Sequence, residues 1–94
     1  MTAQPIERPI FDSSTIPLHE SWIVVVYNNE VNTWEAVVMI LMIATHCTLE
    51  EAEIETWEID RLGKSVVHCA DQDECESVAA VIRQIGIQVE VKSE

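Results

Sequence analysis

Residues 22–35, WIVVVYNNEVNTWE, constrain the fold more than any other stretch of this chain. Ile23 to Val26 form a β-branched apolar run that reads as a buried strand. The run ends at Tyr27, and Asn28, Asn29 and Glu30 follow as a polar turn. Asn32 and Glu35 then frame a helix start, with Asn32 accepting from first-turn amides and Glu35 reaching back. A strand that stops in clustered side-chain acceptors beside a helix N-terminus makes a small polar site on an apolar wall.

The remainder of the chain is punctuated as clearly. Asn32 predicts a helix to about Thr45, and the near-continuous apolarity of Val37 to Ala44 says that it is largely buried. Val37, Val38, Ile40 and Ile43 also favour strand, so the capping frame decides for helix. Thr48-Leu49-Glu50-Glu51 is a capping box that opens a second helix to about Asp60, and Gly63 breaks it. Ser65 to Cys69 reads as a strand. Asp71 to Glu74 is another capping frame, followed by Cys75, Val78, Ala79, Ile82 and Ile85 at helical spacing and Gly86 beyond the helix end. Ile87, Val89 and Val91 alternate with Gln88, Glu90 and Lys92, as in a half-buried strand.

The expected order is βααβαβ. The implied class is α+β: a two-layer sandwich of a three-stranded antiparallel sheet with three helices on one face. Pro5, Pro9 and Pro17 all fall near the N-terminus, which predicts a disordered arm over residues 1–20 and one folded domain over residues 21–94.

Charge narrows the partners. With 17 acidic and 5 basic residues the net charge is −12, so nucleic acid and anionic membranes are repelled. A basic protein surface or a positively charged amino terminus suits that field, although acidity also serves simple solubility. Val37 to Ala44 is too short to span a bilayer, and the polar, proline-broken N-terminus lacks signal-peptide architecture. Cys47, Cys69 and Cys75 are odd in number with no Cys-x-x-Cys spacing, which points to reduced thiols in the cytoplasm. His68 and Cys69 face opposite ways in a strand, so the two His-Cys pairs do not suggest zinc, and no cofactor is expected. Without a phosphate loop or a Ser/His/Asp arrangement, the chain does not read as an enzyme. Glu50, Glu51, Glu55 and Glu58 read as a solvated face, while Trp34 and Trp57 read as core or pocket wall.

The strand–Asn28-Asn29-Glu30–turn–helix segment, joined to Asp60-Arg61-Leu62-Gly63-Lys64-Ser65 at the right distance, resembles the ClpS-type adaptors of Clp proteases. In that family the first segment usually carries Asn-Asp-Asp. The second is a His-x-x-Gly-x-Ala type stretch, so the glycine is kept here and Asp60 stands in the histidine's place. The resemblance covers roughly residues 22–84. It implies recognition of an N-degron: a large hydrophobic N-terminal side chain enters an apolar pocket while its α-amine is held at the rim. Carried over by position, the rim would be Asn28, Asn29, Glu30 and Asp60. The wall and mouth would be Asn32, Trp34, Val37, Thr56 and Ile59. An ammonium has only donors, so acceptors and carboxylates suit such a rim. The partner implied is the N-terminal domain of a Clp-type AAA+ unfoldase, docked on a face that includes Asp73. Trp34 narrows the pocket and Thr56 makes its wall less purely apolar, which shifts the expected preference to smaller first residues. The alternative is a structural or regulatory protein on the same fold with a disabled pocket, acting as an anti-adaptor or dimerisation module. The two separate on whether the space between Trp34, Thr56 and Asp60 is open.

Overall fold

Each α-helix begins on a side-chain oxygen that satisfies a first-turn amide. The computed structural model describes residues 22–94, and the arm expected over residues 1–20 lies outside them. Along the chain come β1 (Trp22–Tyr27), α1 (Trp34–Thr45), α2 (Leu49–Leu62), β2 (Lys64–Ala70), α3 (Gln72–Ile82), a single 3-10 turn (Arg83–Ile85) and β3 (Val89–Ser93). This is the βααβαβ order expected. The strands form one antiparallel sheet with β1 in the centre, in the order β2-β1-β3.

At α2, Thr48 Oγ1 accepts from the Glu51 amide at 3.1 Å while Glu51 Oε1 accepts from the Thr48 amide at 3.2 Å. At α3, Asp71 Oδ1 accepts from the Glu74 amide at 2.8 Å. Gly63 and Gly86 close α2 and the 3-10 turn with φ of 92° and 82°, a left-handed conformation that glycine adopts without strain. The first helix departs from expectation. Its cap is Thr33, whose Oγ1 accepts from the Ala36 amide at 3.2 Å, one residue after the predicted Asn32. Asn29 Oδ1 accepts from the Asn32 amide at 3.2 Å, which draws Asn32 into the preceding turn and out of the cap position.

The core joins Val24 and Val26 of β1 to Val37, Val38, Ile40, Leu41 and Ala44 of α1, with Ala52 and Ile59 of α2 and Cys75, Val78, Ala79 and Ile82 of α3. Leu41 is completely buried, and truncating such a side chain to alanine costs about 2–5 kcal/mol. A register shift between Val24 and Val25 inserts Val67 as an extra residue in β2. Val67 is therefore buried beside His68, whose Nε2 lies 2.6 Å from Glu74 Oε2 at the start of α3. Cys69 faces the other side of the sheet and its thiol donates to Glu94. All three cysteines are free.

One side-chain expectation is narrowed and another corrected. Trp34 and Trp57, expected as core or pocket wall, are 41% and 46% exposed, which leaves pocket wall and excludes core. The buried stripe of α2 is Ala52, Thr56 and Ile59, and Trp57 sits one position off it. Glu55 and Glu58 are not on a solvated face. Glu58 Oε1 accepts from the buried Ser65 hydroxyl at 2.6 Å. Glu55 is half-buried with one carboxylate oxygen lacking a partner, and burial, reinforced by Glu51 and Glu58, pushes its carboxyl up to about 7.

Candidate functional site: a cavity between two turns

Two turns that are distant in sequence meet at one end of the sheet. The Asn28 amide donates to Gly63 O at 2.9 Å, which ties the turn after β1 to the turn between α2 and β2. The Tyr27 amide donates to Gln88 O at 3.0 Å and brings in the segment before β3. Arg83 Nη2 donates to Val89 O at 2.9 Å and pins that segment from the other side. Beside them lies a small recess lined by the turn after β1, by α1 and α2 and by the segment before β3.

The recess has a volume of about 130 Å³ and is lined by Asn28, Asn29, Asn32, Thr33, Trp34, Val37, Thr56, Ile59, Asp60 and Ile87. A cavity of roughly 150 Å³ lined by aliphatic and aromatic groups takes one benzene ring, so this one suits a single small side chain. Val37, Ile59 and Ile87 are buried and form its apolar part. Thr56 is buried as well, but its hydroxyl donates to Ala52 O at 2.7 Å. That donor is spent inside the helix, so Thr56 makes the wall less polar than its sequence identity suggests.

The polar groups sort by what already occupies them. Asn29 Oδ1 accepts from the Val31 and Asn32 amides at 3.3 and 3.2 Å, so it holds the turn in shape instead of facing a ligand. Asn32 Nδ2 is a buried donor with no partner, on a residue that lines the cavity. Such a donor costs about 1–3 kcal/mol when left unsatisfied. Asp60 stands at the rim with its side chain largely exposed, and Arg61 Nε lies 3.9 Å from its Oδ2. An exposed contact of that length is weak and leaves the carboxylate oxygens available to a partner.

The structure brings together Asn28, Asn29, Asn32, Trp34, Val37, Thr56, Ile59 and Asp60 of the residues singled out in the sequence. It leaves out Glu30, which is exposed on the outside of the turn that Asn29 folds. Asp73 lies elsewhere, exposed in the first turn of α3. Thr33 and Ile87 were missed. Thr33 follows from the shifted cap, and Ile87 lies in the segment before β3 that the Tyr27–Gln88 hydrogen bond holds beside β1. Among the described residues there is no group of three or more side chains suited to a metal ion.

The model of the family described as "ATP-dependent Clp protease adaptor protein ClpS" matches residues 18–90. A solved structure, Agrobacterium tumefaciens ClpS2 bound to L-phenylalaninamide, superposes with a TM-score of 0.76 at 17% identity, covering 81% of this chain and 99% of that one. Among curated proteins, the E3 ubiquitin-protein ligase ubr-1 of Caenorhabditis elegans is 32% identical over 56 residues, 60% of this chain. The matched part is 3% of that ligase's length.

Proposed function

The chain belongs to the ClpS family of ATP-dependent Clp protease adaptors, and from that premise we propose that it binds proteins by their first residue and delivers them to a Clp unfoldase. The observation that carries this reading is the 130 Å³ cavity between Trp34, Thr56 and Asp60, which is open. An open cavity favours an adaptor over a protein with a disabled pocket.

The chemistry fits an amino terminus. The first side chain enters between Val37, Ile59 and Ile87, where full burial of a Val- or Leu-sized group contributes about 1.5–3 kcal/mol. The α-ammonium offers only donors, and Asn28 with the Asp60 carboxylate supplies acceptors at the mouth. Asn32 Nδ2 supplies a donor for the first residue's carbonyl oxygen, which would satisfy an otherwise costly buried group. L-phenylalaninamide, the ligand of the Agrobacterium ClpS2, has this same set: a free α-amine, an apolar side chain and a capped carbonyl. The cavity here is small, so first residues of the size of Val or Leu are favoured over Phe or Trp.

Titration with peptides that differ only in their first residue tests this. Free peptides beginning with a small aliphatic residue should bind, and acetylating the amine should abolish binding. Equal binding of free and acetylated peptides would refute the assignment. Delivery is tested by pull-down with the N-terminal domains of the host's Clp unfoldases. Binding should occur and weaken on Asp73→Lys, and failure with every such domain would remove the delivery half of the proposal.

A further inference from the structure

Trp34 lines two recesses at once. One is the small cavity; the other is a shallow open groove of about 720 Å³ lined by Trp34, Glu50, Glu53, Ile54 and Trp57. Isolated exposed apolar side chains are ordinary on a soluble domain. Trp34, Ile54 and Trp57 are contiguous in one recess rimmed by carboxylates, which is the composition of a contact surface.

We infer that this groove takes the residues that follow the first one in the same bound peptide. It favours a large apolar side chain at the second to fourth residue and a Lys or Arg at the fourth or fifth. The inference rests on the amino-terminal reading of the cavity and adds to it the chemistry of the rest of the bound segment.

Three features support it. The first is continuity, since Trp34 forms a wall of both recesses and a chain leaving the cavity passes directly over it. The second is length. Asp60, Trp57, Ile54 with Glu53, and Glu50 succeed one another at three- and four-residue steps along one side of α2. At 1.5 Å of rise per residue the stripe from Asp60 to Glu50 is about 15 Å long. An extended chain covers that in about four to five residues. With its ammonium at Asp60, the peptide therefore passes Trp57, then Ile54, and reaches Glu50 near its fifth residue. The third is charge. Glu50 and Glu53 present two carboxylates at the far end of the groove, and Arg61 stands at the near end, its guanidinium 5.7 Å from the Trp57 ring centre. A cation in the peptide is attracted to the far end and an acidic side chain is repelled.

The test compares leucinamide with pentapeptides that begin with Leu, by fluorescence competition on the full chain. A pentapeptide with an apolar residue at its third position and Lys at its fifth should bind about tenfold or more tightly than leucinamide. Ile54→Ser should remove most of that gain. Glu50→Gln with Glu53→Gln should erase the preference for Lys over Glu and its salt dependence. Neither variant should change leucinamide affinity, because both sites lie outside the cavity. A pentapeptide that gains nothing over leucinamide, or a gain indifferent to sequence, overturns the inference and leaves the cavity assignment standing. A change of oligomeric state in Ile54→Ser would also overturn it, by making a second copy of this chain the groove's occupant. If leucinamide itself does not bind, the amino-terminal reading fails and the groove assignment fails with it.

Discussion

At α2 and α3 the cap leaves no buried side-chain polar atom of its turn without a partner, whereas at α1, capped by Thr33, the neighbouring Asn32 keeps a buried donor unpaired. At Thr48 and Asp71 the residue that reads as a cap is the cap, and its oxygen is spent on the helix. At the first helix the expected cap, Asn32, is displaced by Thr33, its backbone is taken by Asn29, and its side-chain amide is left buried without a partner. The first two sites are finished within their own segments. The third keeps a donor without a partner, and that donor belongs to a residue of the cavity wall. A place where local rules fail while they hold at its equivalents is where a functional or strained site is expected, and that expectation is what the binding experiments test.

The largest effect that would sharpen this contrast belongs to the rim opposite Asn32. Asp60→Ala should weaken binding of a free amino terminus by about 1–3 kcal/mol, with an unchanged melting temperature. Unaltered affinity by calorimetric titration would detach Asp60 from the ligand.

A second effect concerns a strained group elsewhere on α2. The carboxyl of Glu55 is raised to about 7 from its ordinary value of 4.5, chiefly by burial. A raised carboxyl favours the folded state when protonated, so this stability is complete below about pH 4.5 and is lost as pH rises through about 7. Because the group is only half-buried, solvent screening reduces the effect to about 1–2 kcal/mol. Urea unfolding should show stability falling between pH 5 and pH 8 by that amount, over and above other groups. Glu55→Gln should flatten that decline.

The smallest effects compare the caps directly. Asp71→Ala should cost about 1 kcal/mol of stability and leave ligand affinity alone. Asn32→Ala should change stability by no more than about 0.5 kcal/mol, because it removes an unsatisfied donor, yet should weaken binding. If Asn32→Ala destabilises as much as Asp71→Ala, the two helix starts are alike and the contrast disappears.

What was legible in the sequence follows the same division. Thr48, Gly63, Asp71 and Gly86 act through neighbours within a few residues, so their roles could be read along the chain. The cavity residues of the turn after β1, of α1 and of α2 were implied as a set by the family resemblance, but their individual duties were not. Asn29 turns its oxygen on its own turn, which throws Glu30 outward, and no pattern of residue types encodes that choice between neighbours. Ile87 enters because the segment before β3 is tied to Tyr27 through Gln88, a contact across some sixty residues. Trp34 and Trp57 were read as core or pocket wall, and the sequence did not decide between the two. The helical phase of Thr56 and Ile59 put Trp57 on the flank, where it builds the groove.

The most direct measurement is a map of amide chemical shifts in ¹⁵N-labelled protein on addition of leucinamide, with N-acetyl-leucinamide as the control. Binding of an amino terminus in the cavity predicts shifts concentrated at Asn28, Asn32, Trp34, Asp60 and Ile87, and none from the acetylated compound. Equal shifts from both compounds, or shifts centred on the sheet face that carries Val66 and Cys69, would contradict it.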